Sequence, residues 1–347
     1  ELQTMASSGE KDFARAYACT VISEQGYTDF ATCLPLLKQA IGDGRVGEEA
    51  RSLFIRGAFR DMDNYTYDRK RVLDRVSQVL EVSTKANEKA RARLYRGRMN
   101  LRDMKTFGDG EKELRELGAG GSDVADDALY ELAQAFENQQ KFIAALELYD
   151  AVVKRFSPQT SNVRESAQNQ AANIRRPSVS LSVSYIEIPG SKPQVSFTHR
   201  NVANASWTVR RVDPTRLPDT RDAIDYEETA FGNAATQTVS TWTAKLTVPT
   251  KHAFGTSTFD LDLKQPGAYL LDVDADGQRD REIVLITPHA TVLKLEHELA
   301  LTFTADALTG AAAPNADVAL YLQSNEGSKY EKLTARADAT GVARFEL

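Results

Sequence analysis

The sequence has few of the residues on which metal, redox and sugar-binding sites depend. Its 347 residues include only 2 Cys, 4 His and 2 Trp. Two cysteines cannot supply the four ligands of a structural zinc site, and no His precedes His199. Trp207 and Trp242 are too few to build a platform of rings that stacks on carbohydrate. We therefore expect no metal and no cofactor, and a carbohydrate-binding accessory is the weakest of the function classes considered.

Long apolar runs and a focused basic surface are also missing. No segment approaches the roughly 20 apolar residues that span a bilayer, and residues 1–13 lack the apolar core of a signal peptide. The net charge is −6, and the acidic excess lies beyond Arg176. Nucleic-acid binding calls for a concentrated basic face. The arginines of "KARARLYRGRMNLR" instead divide between two faces of a helix, with Arg91, Arg98 and Arg102 on one and Arg93 and Arg96 on the other.

Motifs of catalysis are missing as well. The sequence has no nucleophile elbow and no glycine loop that cradles phosphate. In "EHELA", His297 and Glu298 lack the second His of a metal-binding helix. The other three histidines, His199, His252 and His289, are scattered over predicted strands and loops. The sequence therefore predicts a protein that is not an enzyme.

Helical periodicity dominates residues 9–176, where the only prolines are Pro35 and Pro158. The clearest unit is "ALYELAQAFENQQKFIAALELYDAVVKRFSP", which predicts two helices separated by "ENQQ". Ala133 and Ala145 stand where two helices would cross closely. This unit resembles a tetratricopeptide repeat, in which small residues occupy the crossing and Pro ends the pair.

Similar helical pairs recur earlier in the chain. Residues 52–59, 93–101 and 128–136 can be superposed, and each segment precedes a second amphipathic stretch. A single helical pair cannot cover its own apolar stripe, so stacked repeats are expected. A further pair turns at Gln25-Gly26, and residues 160–176 read as a polar closing helix. The sequence thus predicts a tetratricopeptide-like helical repeat domain over residues 1–176.

The superposition places four aromatic residues at equivalent positions: Tyr17, Phe54, Tyr95 and Tyr130. Such a position either packs against the neighbouring repeat or faces the groove in which a partner peptide lies. The second reading adds residues one or two turns further along the same surface. The predicted partner-binding set is Tyr95, Met99, Arg102, Tyr130, Gln134 and Glu137.

Cys19 and Cys33 each lie seven residues from Gly26, on opposite helices of the first predicted pair. They should therefore stand at the same height above the turn, where the approach of about 5.5 Å between Cα atoms that a disulfide needs can be met. The two residues form either a disulfide or two buried thiols. Cysteines matched in this way favour an oxidising compartment.

After Pro177 the apolar residues recur with a period of two. "SVSLSVSYIEI" places Val179, Leu181, Val183 and Tyr185 on one face of a strand, and turn signals recur between the strands. The pattern predicts antiparallel β-sandwiches over residues 177–288 and 289–347, the second one truncated, so we expect a segment of a longer protein. Residues 210–237 read as a long polar insertion, which we expect to form a mobile loop or a lid.

"DVDADG" begins like a calcium-binding loop, with Asp272, Asp274 and Asp276 before Gly277. The twelfth position of such a loop needs a bidentate carboxylate, but Ile283 stands there. β-rich runs flank the Asp-Gly pair, which is a strong hairpin signal. We therefore predict a hairpin in which Arg279 or Arg281 pairs with the aspartates, with a weak cation site as the alternative.

The order of turn motifs in residues 266–347 resembles the first macroglobulin domains of bacterial alpha-2-macroglobulin-like proteins. "PGAY" and a hairpin close one sandwich, and a strand opens the next. Two motifs then follow, "D-x-x-T-G-x-x-x-x-x-A-x-V" and "D-x-x-G-x-A". In this chain they comprise Asp306, Thr309, Gly310, Ala316 and Val318, then Asp338, Gly341 and Ala343.

This resemblance implies a non-enzymatic N-terminal segment of a secreted or periplasmic protein of the bacterial cell envelope. The helical repeats would bind a protein partner, and the macroglobulin domains would belong to a scaffold that traps proteases. No cysteine follows Cys33, so neither a thioester nor a bait region can be assigned. The alternative is a cell-envelope adaptor with peptide-binding repeats, immunoglobulin-like spacers and no inhibitory activity.

Overall fold

A computed structural model of the chain describes residues 8–24, 30–213, 216, 228–323 and 330–347. Contacts between Cα atoms divide the chain into two compact units, Glu1–Ile174 and Arg175–Leu347. The first unit is helical and the second is built from strands. This order of helices followed by strands agrees with the predicted fold class, while the division into three domains stays a prediction.

The first unit consists of helices joined by short turns. A single 3₁₀ turn at Phe30–Thr32 precedes the second of them. The helices are α1 (Ser8–Glu24), α2 (Leu34–Ala40), α3 (Gly47–Asn64), α4 (Arg69–Val82), α5 (Ala86–Leu101), α6 (Phe107–Ala119), α7 (Ala125–Asn138), α8 (Phe142–Arg155) and α9 (Arg164–Arg175).

These helices form because each carries an apolar stripe that a neighbouring helix covers. In α7 and α8, Leu132, Ala133, Ala145 and Tyr149 are fully buried. Consecutive helices from α1 to α8 pack on one another, and α1, α3, α5 and α7 also contact one another in succession, so the first helices of the pairs form one layer. The predicted helical pairs are confirmed, whereas their assignment as tetratricopeptide repeats stays a prediction.

Glycine permits a close helix crossing, between α5 and α6. A Cβ added to Gly110 would stand 2.9 Å from both the Gly97 carbonyl oxygen and the Leu101 nitrogen. These are backbone atoms, which cannot move aside as the end of a side chain can. Any side chain at residue 110 would therefore force the two helices apart.

A disulfide joins Cys19 of α1 to Cys33, with 5.5 Å between the Cα atoms. Cys33 is fully buried, and it belongs to a core that includes Ala16, Phe30 and Leu37. The bond therefore ties α1 to the start of α2 beside the first apolar core of the helical unit. The turn that was predicted at Gln25-Gly26 lies outside the described residues.

The second unit contains thirteen described strands and one short helix, α10 (Glu228–Ala234). The strands are β1 (Ser178–Val183), β2 (Ile186–Glu187), β3 (Gln194–Arg200), β4 (Asn204–Val212), β5 (Ala235–Lys245), β6 (Gly255–Asp260), β7 (Gly267–Ala275), β8 (Gln278–Ile286), β9 (His289–Glu296), β10 (Leu299–Asp306), β11 (Asp317–Gln323), β12 (Tyr330–Arg336) and β13 (Val342–Glu346). No described helix of either unit has the length and apolar character needed to cross a membrane.

Two sheets pack face to face in the first part of this unit. One has the order β1-β3-β6 and the other β2-β8-β7-β4-β5. Phe197 of the first sheet and Trp207 of the second meet in the core, with 4.6 Å between the ring centroids. Alternate residues of β4 and β7, including Val209 and Val273, are buried in the same core. The predicted β-sandwich is therefore present. Its core is formed by the alternating apolar residues that the sequence indicated.

The position of Tyr185 in this sandwich differs from the prediction. Tyr185 was expected beside Leu181 on the buried face, but it is 55% exposed. The reason is that β1 ends at Val183 and the chain crosses to the other sheet, where Ile186 and Glu187 pair in parallel with β8.

The predicted insertion, residues 210–237, is partly regular structure. Its first residues complete β4, and its last residues form α10 and the start of β5. Phe231 of α10 packs on Leu270 and Ile283, on the sheet face that points away from the core. Most of the remaining insertion, where the loop or lid was expected, lies outside the described residues.

A smaller pair of sheets follows, with the orders β13-β10-β9 and β11-β12. Its core contains Ala300, Ala337, Ala343 and Phe345. The motif residues of the sequence form the turns of this region. The Asp306 carboxylate accepts a hydrogen bond from the Thr309 amide at 2.8 Å, and Asp338 accepts one from the Thr340 amide at 2.8 Å.

The "DVDADG" segment forms the β7–β8 hairpin. Asp276 and Gly277 adopt φ values of 49° and 86°, the left-handed conformation that a tight two-residue turn requires. Arg279 pairs with Asp274 at 2.7 Å, and Arg281 pairs with Asp272 at 3.1 Å. The predicted hairpin and its cross-strand ion pairs are therefore confirmed.

Candidate functional site

A groove of about 440 Å³ runs along the layer of first helices, between α3 and α5. Its lining combines a buried apolar floor with exposed polar and charged side chains. The residues are Ser52, Ile55, Arg56, Phe59, Arg60, Asp63, Asn87, Glu88, Arg91 and Asp123. Because Asp123 precedes α7, the groove draws on three successive helical pairs.

The floor of the groove is apolar and well packed. Ile55 and Phe59 are 4% and 6% exposed. The Phe59 ring stacks on Tyr95 of α5 with 5.9 Å between the centroids. The guanidinium of Arg91 lies over the Phe59 ring, 4.3 Å from its centroid. These contacts join α3 to α5 and hold the Arg91 side chain in a fixed place at the rim.

Hydrogen bonds beneath the rim fix the same cluster. The Tyr95 hydroxyl donates a hydrogen bond to the Asp63 carboxylate. Arg91 Nη2 lies 3.5 Å from the other carboxylate oxygen of Asp63. Burial raises the pKa of Tyr95, and the hydrogen bond to Asp63 raises it further. Tyr95 therefore stays protonated and keeps its role as the donor that positions Asp63.

The charges on the rim are of both signs. Asp63 is held by Arg91 and Tyr95, and Glu88 accepts a hydrogen bond from Ser83 at 2.6 Å. Arg56 and Arg60 stand one turn apart on α3, and both are exposed. The rim thus combines exposed arginines of α3 with the carboxylates of Asp63 and Glu88, which are hydrogen-bonded within the protein, and with the exposed Asp123.

The predicted partner-binding residues divide into buried and accessible ones. Tyr95 and Met99 are 4% and 1% exposed, so a partner does not reach Met99 at all in this structure. Arg102 is exposed and donates a hydrogen bond to the Thr66 carbonyl oxygen. It lies near the turn between α3 and α4 and does not line the groove.

The other three predicted residues lie on α7. Tyr130 is half-buried and accepts a hydrogen bond from Gln134 at 3.2 Å. Tyr149 donates a hydrogen bond to Glu137 at 2.7 Å, and its ring lies 5.7 Å from that of Tyr130. Burial and the bond to Glu137 both raise the pKa of Tyr149. The side chains of Tyr130, Gln134 and Glu137 are thus partly accessible to a partner. Each of them also contacts another side chain of α7 or α8.

The aromatic residues at the four superposed positions are not equivalent in the structure. Phe54 and Tyr95 are buried, whereas Tyr17 is 49% exposed and Tyr130 is half-buried. Packing between repeats therefore accounts for the two central positions. The sequence reasoning missed Arg56, Arg60 and Asn87, which line the groove. The spacing of the two arginines by four residues on α3 was the available signal.

The second unit has a charged cleft of about 450 Å³ on the outer face of the β4-β7-β8 sheet. Asp272 pairs there with Arg210 at 2.8 Å and with Arg281 at 3.1 Å. A hydrogen bond from Arg279, joined by one from the Gly277 amide, lowers the pKa of Asp274. Within the described part of the chain, no group of three or more His, Cys, Asp or Glu residues has an arrangement suited to a metal ion.

The histidines of the second unit do not meet in one place. His199 is 1% exposed, and neither ring nitrogen has a hydrogen-bond partner among the described residues. His252 contacts Asn201 at 2.8 Å, while His289 is exposed on β9. Burial lowers the pKa of His199, which favours the neutral ring. These three histidines thus do not share a common cleft.

No family model and no curated protein matches this chain. Solved structures similar to it are fragments of the alpha-2-macroglobulin of Escherichia coli. The fragment spanning MG0-NIE-MG1 is 23% identical at a TM-score of 0.38, over 49% of this chain and 57% of the fragment. The NIE-MG1 fragment is 21% identical at a TM-score of 0.36, over 50% of this chain and 88% of the fragment.

A red sea bream transglutaminase is also similar, at 12% identity and a TM-score of 0.25, over 55% of this chain and 29% of that enzyme. All these TM-scores are too low for the likenesses to carry an argument about function. The groove on the helical unit therefore has to be judged by its own chemistry.

Proposed function

We propose that this chain is a non-catalytic protein-binding segment whose helical unit receives a polypeptide in the groove between α3 and α5. One observation carries the proposal: exposed arginines of α3 border a groove that draws on three successive helical pairs. An extended peptide with carboxylates would meet Arg56 and Arg60 along the rim of the groove.

The turn motifs of the β unit support a place in a macroglobulin-like protein. In this proposal the helical unit is tetratricopeptide-like, residues 177–288 and 289–347 are macroglobulin domains, and a longer protein traps proteases in the periplasm or outside the cell. The disulfide between Cys19 and Cys33 is compatible with such an oxidising compartment. The individual domains here would serve as part of the scaffold.

A cell-envelope adaptor without inhibitory activity is the second candidate, because the groove requires only a peptide partner. The two candidates differ in what the rest of the gene encodes. Further macroglobulin domains downstream of Leu347 favour the trap, and a membrane anchor soon after it favours the adaptor.

The groove is tested by reversing its charge in the full chain. The double variant Arg56→Glu and Arg60→Glu is expected to lose at least about tenfold of the affinity for a partner captured from envelope extract, because acidic groups then repel one another. Affinity is measured by titrating the purified partner against the immobilised chain.

The matched control changes the same net charge elsewhere on the helical unit. Lys70 and Lys112 are exposed on α4 and α6 and do not line the groove, so Lys70→Glu with Lys112→Glu should bind as the unchanged protein does. Equal losses in the two double variants would show that net charge, and not the groove, governs binding.

A further inference from the structure

The groove between α3 and α5 carries a cation and an anion that no described residue engages. Arg56 and Asp123 are exposed, and neither side chain makes a hydrogen bond or an ion pair with another described residue. The side chains of Ser52 and Asn87 also line the groove, are exposed, and have no hydrogen-bond partner among the described residues. These four side chains are therefore open to a ligand.

The two charged groups lie on opposite flanks of the groove. Arg56 belongs to α3, whereas Asp123 precedes α7 by two residues. Because α5 contacts both α3 and α7, it lies between them in the layer of first helices. Asn87 stands in the first turn of α5. A ligand that meets both Arg56 and Asp123 must therefore cross this turn.

The other charged groups of the lining follow the same polarity, with one exception. Arg60 adds a second exposed guanidinium on α3, and Arg91 reaches over the Phe59 ring of α3. Glu88 adds a carboxylate on α5. Asp63 is the acidic group on α3, and Arg91 lies 3.5 Å from it. The α3 flank thus has a net positive charge, and the α7 flank is acidic.

The span between the two flanks suits a short extended chain. The axes of packed helices lie about 8–10 Å apart, so α3 and α7 are separated by roughly 16–20 Å. An extended polypeptide rises about 3.3 Å per residue, so about five residues bridge this span. Such a chain leaves its main-chain groups open, and the Ser52 hydroxyl and the Asn87 amide can bond to them. A helical ligand would satisfy those groups itself.

We propose that the groove selects a bipolar segment of a partner protein. Acidic residues at one end of the segment meet the arginines of α3, and basic residues about five positions away meet Asp123. This inference rests on the proposed function, that the groove receives a polypeptide, and it specifies the charge pattern of that polypeptide. A uniformly acidic segment would place carboxylates beside Asp123 and Glu88, which disfavours it.

The test compares peptides that have the same composition and different charge order. The bipolar peptide is acetyl-Glu-Glu-Ser-Thr-Gln-Lys-Lys-amide, and its reversed sequence covers the opposite chain direction. The mixed peptide is acetyl-Glu-Lys-Ser-Thr-Gln-Lys-Glu-amide. Each is titrated into the ¹⁵N-labelled full chain at low ionic strength and followed by NMR, because salt screens exposed charges. The tighter bipolar peptide should bind at least about fivefold more tightly than the mixed peptide.

Two single variants assign each end of the peptide to its flank. Arg56→Glu and Asp123→Lys should each weaken the tighter bipolar peptide by at least about fivefold, because each places like charges together. A further peptide replaces both of its lysines by glutamine. Arg56→Glu should weaken this peptide as well, whereas Asp123→Lys should not, since the basic end that Asp123 meets is absent.

Matched controls make the same charge changes outside the groove. Lys112 and Asp109 are exposed on α6 and do not line the groove, so Lys112→Glu and Asp109→Lys should leave the affinity for the bipolar peptide unchanged. Losses as large as those of Arg56→Glu and Asp123→Lys would show that net charge governs binding, which contradicts the proposal.

Other results would also overturn it. They are equal affinity for the bipolar and mixed peptides, no binding of either bipolar peptide at millimolar concentration, and a loss in Asp123→Lys that is the same for the glutamine peptide. These results are distinct from failure of the proposed function. If a photo-crosslinker at Ser52 still captures a partner from envelope extract, the groove remains a protein-binding site and only the bipolar pattern is refuted.

Discussion

Individual charged residues in the helical unit are held by partners on neighbouring helices. Asp61 is buried and pairs with both Arg71 and Arg75, the latter at 2.9 Å. Burial alone would raise the pKa of Glu113, but hydrogen bonds from Arg96 and Arg93 outweigh it and the pKa is lowered. These groups are satisfied internally, whereas Arg56 lies exposed at the rim of the groove.

His199 makes the stability of the β unit depend on pH. Burial lowers its folded pKa below the value of about 6.5 that an unfolded chain has, so below that pH the unfolded state binds more protons. We expect the free energy of unfolding to fall as the pH drops from about 7.5 to about 5.5. Urea unfolding of the full chain across this range measures the slope.

The variant His199→Phe should reduce this slope, because the ring that resists protonation is gone. His252, whose pKa burial also lowers, should account for part of what remains. His289→Gln, at an exposed histidine of the same unit, is the matched control for replacing a histidine. An unaltered slope in His199→Phe would refute the assignment.

At the scale of elements, the close crossing of α5 and α6 requires glycine at residue 110. Gly110→Ala should destabilise the helical unit by about 1–3 kcal/mol, since its Cβ would meet the backbone of Gly97 and Leu101. Gly108, on the same helix, has open space, so Gly108→Ala should be neutral or stabilise by roughly 0.5–1 kcal/mol. Thermal unfolding of both variants measures the difference, and equal effects would contradict the close crossing.

The disulfide should stabilise the pairing of α1 with α2. It closes a loop with a sequence separation of 14, for which chain entropy gives about 3 kcal/mol. Reduction should therefore lower the unfolding temperature of the helical unit. The double variant Cys19→Ser and Cys33→Ser should start at the lower temperature and show no response to reductant. A response in that variant would mean that the reductant acts elsewhere.

Elements were largely predictable from the sequence because their signals are local. The 3.6-residue period over α7 and α8 and the Asp276-Gly277 turn each depend on neighbouring residues alone. The crossing of the chain from β1 to the second sheet at Tyr185 depends on partners that are distant in sequence. The alternation of apolar residues therefore does not indicate it. The helix α10, which directly precedes β5, was not predictable for the same reason. Its contacts with Leu270 and Ile283 join residues that are distant in sequence.

At the scale of the whole molecule, the groove was only partly predictable. Superposition of repeats pointed to the layer of helices that carries the groove and led to Tyr95, which lies beneath it. It could not separate a buried ring from an exposed one, because Tyr95 and Tyr130 have the same pattern of neighbours in sequence. The lining residues Arg56, Arg60 and Asn87 are brought together by the stacking of α3 on α5, which no single helix encodes.

The central claim is that a protein partner lies in the groove of α3 and α5, and photo-crosslinking tests it most directly. A benzophenone amino acid is placed at Ser52, which lines the groove, or at Ser77, which is exposed on α4. The full chains are irradiated in envelope extract. We predict a discrete crosslinked product from residue 52 and none from residue 77, whereas no product at residue 52, or the same product from both, would contradict the claim.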